Sequence, residues 1–190
     1  MESMESRQNL KNMDQKSLRE EALSSEVIFE GRMIRLERDT VRLPNGNETT
    51  REVVRHPGAV AVVALRGDDL LCVRQYRYAI EQETIEIPAG KLDHGEEPLT
   101  CAQRELREET GYRGKLTFLG KYYTTSGFTD EIMYLYLAQE LTWDPLCPDE
   151  DEFLHVESIP WREAVGMAQR GEFPDAKTAL GILYVSGRLT

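Results

Sequence analysis

Long apolar runs and paired cysteines are scarce in this sequence, and their scarcity excludes several classes of protein. No run of about 18 apolar residues is present, so the sequence predicts no membrane span. The N-terminus lacks the apolar stretch of a secretory signal. The cysteines are Cys72, Cys101 and Cys147, an odd number whose spacing matches neither a zinc site nor a CxxC motif. We therefore expect a cytoplasmic protein with reduced thiols and no membrane partner.

Positive charge is also in short supply. The chain has 23 Lys and Arg against 34 Asp and Glu, which gives a formal net charge of -11. Proteins that bind nucleic acid neutralise phosphates with clustered Lys and Arg, so a nucleic-acid partner is not expected. A small anionic substrate stays possible where placed arginines or a bound metal ion supply local positive charge.

The 190 residues suit one domain with a small appendage. Residues 1–18 are polar and are predicted to form a disordered tail. Residues 19–56 alternate apolar and polar side chains around Pro44–Asn47, where Asn-Gly favours a type I′ turn between antiparallel strands. A meander of about three strands cannot bury two faces by itself. We therefore expect it to pack on the main domain or on a second copy of the chain, as a dimerisation element.

Residues 57–190 alternate between strand and helix patterns. The apolar runs Gly58–Leu65 and Leu70–Val73 predict strands buried on both faces. A helix is predicted to begin at Pro98, to end before Gly111, and to pack through Leu99, Ala102 and Leu106. Further strands and two C-terminal helices follow. The mixed order predicts an α/β (α+β) fold, a sandwich of helices around a mixed sheet.

The stretch "RELREETG" (Arg104–Gly111) concentrates Glu105, Glu108 and Glu109 at the end of that helix, on the side expected to lie opposite the apolar stripe. Like charges three and four residues apart repel, and the helix dipole disfavours negative charge at this end. One interpretation is a solvated surface helix with an Arg104–Glu108 pair. The other is a binding site for a divalent cation, and ligands that are all oxygen favour Mg²⁺ or Mn²⁺.

The residues upstream favour the second interpretation. From Gly90 to Gly111 the chain has the form Gly-x5-Glu-x7-Arg-Glu-Leu-x-Glu-Glu-x-Gly, which resembles the signature box of the Nudix hydrolases. Tyr112 departs from the pattern, because an aliphatic residue usually stands there. The resemblance implies a Nudix-type α/β/α sandwich and hydrolysis of nucleoside diphosphates linked to another moiety.

The resemblance also implies roles for the residues of the box. Glu105 and Glu109 are the expected ligands of Mg²⁺, with Glu108 assisting, and Mn²⁺ is the expected substitute for Mg²⁺. The backbone carbonyl of Ala89 is expected to join them. Glu96 and Arg104 are expected to brace the loop and to orient a carboxylate.

Outside the box, stretches such as "LPNG", "RQYR", "ETIEIPAGKL", "GFTDEI" and "DAKTA" resemble the bacterial ADP-ribose pyrophosphatases. The resemblance implies a homodimer that cleaves ADP-ribose to AMP and ribose 5-phosphate. It implies that Arg77 contacts a phosphate, that Arg51 and Arg55 reach the other subunit's site, and that Glu86 contacts ribose or adenine. Ordinary surface arginines, and an outward salt-bridging Glu86, are the alternatives.

The acidic loop Asp149–Glu152 and Ser126 leave the reaction partly open. In the resembled group a loop at this place supplies a glutamate as general base or metal ligand, here Glu150 or, as second choice, Glu152; a solvated loop is the alternative. Ser126 stands where these proteins usually carry a proline. ADP-glucose, GDP-mannose, a dinucleotide polyphosphate or NADH are therefore alternative substrates, and a non-catalytic sensor is a further alternative.

Overall fold

The computed structural model describes residues 17–147 and 153–188. The chain divides into two compact units between Arg55 and His56. In the described part of the first unit, three antiparallel strands form a sheet in chain order: β1 (Glu21–Glu30), β2 (Arg35–Arg42) and β3 (Glu48–Arg55). The antiparallel meander predicted from the alternating pattern is confirmed.

The turn between β2 and β3 differs from the predicted type I′ turn. A type I′ turn needs positive φ at both central residues. Gly46 has φ 89°, but the described non-glycine residues with positive φ are Glu81 and Glu140, so Asn45 is not among them. The Gly46 N–H donates to the Leu43 carbonyl at 2.9 Å, inside a longer loop. Gly46 is the left-handed residue of this loop, a conformation that glycine adopts at little cost.

The second unit is built on a mixed sheet. Over the described residues its strand order is β10-β5-β4-β9-β8, with β6 paired to β5 and β7 paired to β4. The β4–β9 pair is parallel and the other pairs are antiparallel, which confirms the mixed sheet. The strands are β4 (Ala59–Arg66), β5 (Asp69–Arg77), β6 (Gln82–Glu86), β7 (Ala89–Lys91), β8 (Tyr112–Tyr123), β9 (Ile132–Trp143) and β10 (Leu154–Pro160).

Helices cover both faces of this sheet, which gives the predicted α/β/α sandwich. They are α1 (Pro98–Thr110), α2 (Trp161–Gln169) and α3 (Ala176–Ser186). Side chains alternate along β4, so one set packs with α1 and the other with α2 and α3. The first set includes Val60, Val62, Ala102 and Leu106. The second set includes Ala61, Val63, Ala164 and Ile182. No helix within the described ranges is long and apolar enough to cross a membrane.

Helix α1 has the predicted ends, and of its predicted apolar stripe Ala102 and Leu106 are buried but Leu99 is not. Pro98 occupies its first position, and Gly111 ends it with φ 79° and an N–H bond to the Arg107 carbonyl at 3.0 Å. Leu99 was expected in the core and is mostly exposed. The buried face of α1 contains Cys101, Ala102, Glu105, Leu106, Glu109 and Thr110. Leu99 lies at the margin of that face in the first turn, so the prediction for it was wrong.

Candidate active site

Two of the three helix carboxylates are buried. Glu105 retains 5% of its accessible surface and Glu109 retains 4%. The expectation that all three glutamates stand opposite the apolar stripe is wrong for this pair, because they share the buried face with Ala102 and Leu106. Burying a carboxylate is unfavourable unless polar groups or charges meet it. The polar groups around Glu105 and Glu109 therefore mark a candidate functional site.

Both buried carboxylates lie against the backbone of β7. The Ala89 N–H donates to Oε2 of Glu109 at 2.8 Å. A Cβ placed on Gly90 would lie 2.0 Å from Cδ of Glu105, so this residue must be glycine for the carboxylate to sit there. The first glycine of the sequence motif thus has a steric reason, and the Ala89–Gly90 backbone and the helix carboxylates form one compact group.

Arg104 connects the loop before α1 to the carboxylates. Its Nε and Nη2 donate to Glu96 at 3.0 and 2.9 Å, and its Nη1 donates to Glu105 at 2.7 Å and to Glu108 at 2.8 Å. The Arg104–Glu108 contact is the predicted i,i+4 pair. The hydrogen bonds from Arg104 are the largest influence on Glu96 and hold the pKa of that carboxyl at about 2. One guanidinium therefore ties three carboxylates together.

The chemistry of these donors fits a hard divalent cation. Glu105, Glu108, Glu109 and the Ala89 carbonyl offer oxygen atoms alone, as Mg²⁺ and Mn²⁺ prefer. Across residues 17–147 and 153–188, no group of three or more His, Cys, Asp or Glu side chains is gathered closely enough to count as a preformed metal site. Arg104 lies on two of the carboxylates. These oxygen donors thus suit a divalent cation, but in the described structure Glu105 and Glu108 bind Arg104.

A further buried carboxylate lies on β6, the strand that precedes β7 in the chain. Glu86, at the end of β6, retains 2% of its surface and accepts hydrogen bonds from Arg77 at 2.8 and 2.6 Å and from Thr84 at 2.5 Å. Lys177 forms a further ion pair with it. Burial would raise the pKa of Glu86, but the Arg77 hydrogen bonds and the Lys177 charge together lower it to about 2. The alternative of an outward-facing Glu86 is wrong, although its salt bridge to Arg77 is present.

The first turn of α3 is hydrogen-bonded to the backbone of Ile87, the residue after Glu86. Asp175 caps the helix, and its Oδ2 accepts the Thr178 N–H at 3.0 Å and the Thr178 hydroxyl at 2.5 Å. The Thr178 hydroxyl oxygen in turn accepts the Ile87 N–H at 2.9 Å. No role was predicted from the sequence for these residues of "DAKTA". The Asp-x-x-Thr spacing signals a helix start, but nothing local reveals that Lys177 meets a carboxylate 91 positions earlier.

The remaining predicted residues lie elsewhere or outside the described chain. Arg51 pairs with Glu20 at 2.6 Å and Arg55 with Glu37 at 2.6 Å, all within the first unit. Their predicted contact with a partner subunit's substrate stays a prediction. Glu150 and Glu152 lie outside the described residues, so their predicted catalytic role also stays a prediction.

The segment around Ser126 forms its turn without a proline. The Thr125 carbonyl accepts the N–H groups of Phe128 at 3.2 Å and Thr129 at 3.1 Å. At the base of the turn, the Thr124 hydroxyl donates to the Glu131 carboxylate. Backbone and side-chain hydrogen bonds therefore supply the closure that a proline would otherwise favour.

Comparisons with known proteins agree with this geometry. Residues 55–180 match the NUDIX domain, and residues 20–54 match the nucleoside diphosphate sugar hydrolase N-terminal domain. The chain is 45% identical over 174 residues to the ADP-ribose pyrophosphatase of Bacillus subtilis (strain 168), which covers 90% of this chain and 94% of that protein. It is 41% identical over 174 residues to the methanol dehydrogenase activator of Bacillus methanolicus, with the same coverage of 90% and 94%.

A solved structure extends the likeness to three dimensions. The crystal structure of an ADP compounds hydrolase matches with a TM-score of 0.81 and 26% identity, over 92% of this chain and 96% of that one. The domain match spans the mixed sheet, α1 with its buried carboxylates, α2 and the start of α3. The chain therefore belongs to the Nudix family and is a Nudix hydrolase.

Proposed function

We propose that this enzyme hydrolyses ADP-ribose to AMP and ribose 5-phosphate, with Mg²⁺ as its cofactor and Mn²⁺ as a possible substitute. One observation carries the proposal: Glu105 and Glu109 are buried against the Ala89–Gly90 backbone. This arrangement occurs in a chain that is 45% identical to an ADP-ribose pyrophosphatase over nearly its whole length. In the proposed reaction, water adds to one phosphorus and the P–O–P bridge breaks, so that each product keeps one phosphate.

The residues of the box would bind the cation and fix its position. Glu105 and Glu109 are the proposed ligands, Glu108 assists them, and the Ala89 carbonyl completes the set. A bound divalent cation supplies charge neutralisation at the diphosphate and lowers the pKa of a water molecule. Glu96 fixes Arg104 by two hydrogen bonds, and Arg104 in turn orients Glu105 and Glu108.

Other side chains would bind the substrate and move the proton. Arg77 suits a phosphate because a guanidinium can donate two parallel hydrogen bonds. Glu86 is proposed to orient the ribose or the adenine. Glu150 is proposed as the general base that takes the proton of the attacking water, with Glu152 as second choice.

The proposed active unit is a cytoplasmic homodimer. Residues 57–190 form the proposed hydrolase domain, and residues 19–56 the proposed dimerisation element. Strand β1 supports this, because its apolar side chains, Val27 and Phe29 among them, are exposed in the single chain. In such a dimer Arg51 and Arg55 would contribute to the partner's site.

A substrate panel tests the activity. Purified protein is assayed with Mg²⁺ or Mn²⁺ against ADP-ribose, ADP-glucose, GDP-mannose, a dinucleotide polyphosphate and NADH, and substrates are ranked by kcat/KM. We expect ADP-ribose to rank first and Glu109→Gln to abolish turnover while ADP-ribose binding is retained. A higher rank for another substrate would replace ADP-ribose in the proposal. Absence of turnover on every substrate would overturn the proposal as a whole.

A further inference from the structure

Two cationic side chains share the buried carboxylate of Glu86. Arg77 reaches it from β5 through Nε and Nη2, and Lys177 reaches it from the first turn of α3. A second carboxylate, Asp175, lies 3.1 Å from Lys177 Nζ. The four side chains therefore form a balanced group of two negative and two positive charges. Such balance is expected for charges in a protein interior.

The two cations are not equivalent. The Arg77 side chain is 41% exposed, whereas the Lys177 side chain is 17% exposed. Lys177 is also fixed by its place on α3, whose start is tied to the strand by the Thr178–Ile87 hydrogen bond. Arg77 lies at the open side of the group and Lys177 at its closed side.

Arg77 also lies within the electrostatic reach of the box. Its pKa is raised first by the hydrogen bonds to Glu86 and further by the charges of Glu86, Glu109 and Asp175. An arginine that feels the charge of Glu109 can meet a diphosphate held at the box. To do so, however, its guanidinium must give up hydrogen bonds to Glu86. If Arg77 were the sole cation on Glu86, its departure would leave a buried carboxylate uncompensated, which is strongly unfavourable.

We propose that Lys177 is the standing counter-ion of Glu86, which frees Arg77 to turn from Glu86 to the diphosphate of the substrate. This inference rests on the proposed function. Lys177 is a positioning residue: it stays on Glu86 and does not touch the substrate. Without it, Glu86 retains Arg77 and withholds that arginine from the ligand.

A double-mutant cycle tests the inference. The variants are Lys177→Met, Arg77→Ala and the pair together, and the readout is the Kd of a non-hydrolysable α,β-methylene analogue of ADP-ribose with Mg²⁺. Arg77→Ala alone should raise this Kd by about 10- to 100-fold, as expected for loss of charged hydrogen bonds. In the Lys177→Met background, Arg77→Ala should raise the Kd of the analogue by about threefold or less. Lys177→Met alone should raise KM for ADP-ribose about tenfold and leave kcat within about threefold.

Matched variants separate this role from a general loss of structure. Lys177→Arg should restore Kd to within about threefold, because it keeps the charge. Lys115→Met removes an exposed lysine of β8 and should leave Kd unchanged. If Lys177→Met does not fold, as judged by circular dichroism, Lys177→Gln takes its place in the cycle.

An NMR measurement on Arg77 in the wild-type protein completes the test. The Nε–H resonance of Arg77, assigned by its absence in Arg77→Ala, should shift when the analogue binds the wild-type protein. Equal costs of Arg77→Ala in both backgrounds, or an unmoved resonance in the bound state, would overturn the inference. If the wild-type protein neither binds the analogue nor hydrolyses ADP-ribose, the proposed function itself fails. If the wild-type protein does both and the cycle is additive, the inference alone fails.

Discussion

Replacing Gly90 by alanine should disable the site while leaving the fold intact. The added Cβ would lie 2.0 Å from Cδ and from Oε1 of Glu105. Carbon atoms normally approach to about 3.5 Å, so the carboxylate would have to move by roughly 1.5 Å. Metal–ligand distances tolerate about 0.2 Å, and a misplacement of about 1 Å can cost on the order of 100-fold in rate. We expect Gly90→Ala to lower kcat/KM for ADP-ribose by at least about 100-fold.

The effect on stability should be much smaller. The clashing atoms are the end of a flexible side chain rather than backbone, so overpacking of about 1–2 kcal/mol is expected. For a chain of this size that corresponds to a fall in Tm of roughly 2–8 °C. The assay measures AMP release with Mg²⁺, together with Mg²⁺ binding by calorimetry and thermal unfolding followed by circular dichroism.

Gly187→Ala is the matched control. A Cβ at Gly187 would meet its nearest atoms at 3.8 and 3.9 Å, which is ordinary contact, so activity and Mg²⁺ binding should be unchanged. The reasoning is refuted if Gly90→Ala keeps wild-type kcat/KM and Mg²⁺ affinity. That result would mean that the position of the Glu105 carboxylate does not matter to the reaction.

Three further predictions concern the surroundings of the site and the first unit. The pKa of Glu86 is lowered from 4.5 to about 2, so its ionised form stabilises the folded state above about pH 4.5, and this contribution is lost as pH falls towards 2. The stability difference between wild type and Glu86→Gln in urea unfolding should therefore shrink over that range, and a constant difference would contradict the argument. Thr178→Val should cost about 1–3 kcal/mol in urea unfolding at pH 7, because the Ile87 N–H loses its acceptor, whereas an unchanged stability would show that the bond is not needed. Phe29→Asp should convert the proposed dimer to monomer in light scattering without lowering the helical circular dichroism signal, and an intact dimer would place the interface elsewhere.

Features set by neighbouring residues were predicted well from the sequence. Pro98 and Gly111 mark the ends of α1 because one cannot donate a backbone hydrogen bond and the other adopts positive φ at little cost. The runs at Gly58–Leu65 and Leu70–Val73 became β4 and β5 because an uninterrupted apolar run suits a strand covered on both faces. The helix-end residues and the apolar runs act through neighbouring residues, and tertiary packing did not override them.

Features set by distant contacts were not predictable in the same way. Helical periodicity placed Leu99 in the core, but it could not fix which part of α1 meets the sheet. The burial of Glu105 depends on the approach of Gly90, 15 positions earlier in the chain, although both residues were recognised as parts of one motif. The pairing of Lys177 with Glu86 had no sequence signal, because it joins α3 to β6 through tertiary structure alone.

The charge of "RELREETG" also has a physical account in the folded chain. Arg104 contacts Glu96, Glu105 and Glu108, and Glu109 accepts a backbone N–H. These named groups bring four carboxylates together with one guanidinium, at the helix end where the dipole adds further negative potential. Hydrogen bonds orient these carboxylates, and Glu109 also lies within electrostatic reach of Arg77. A divalent cation would supply two positive charges at the point of strongest repulsion, so the segment that is unfavourable as an isolated helix becomes favourable as a ligand set.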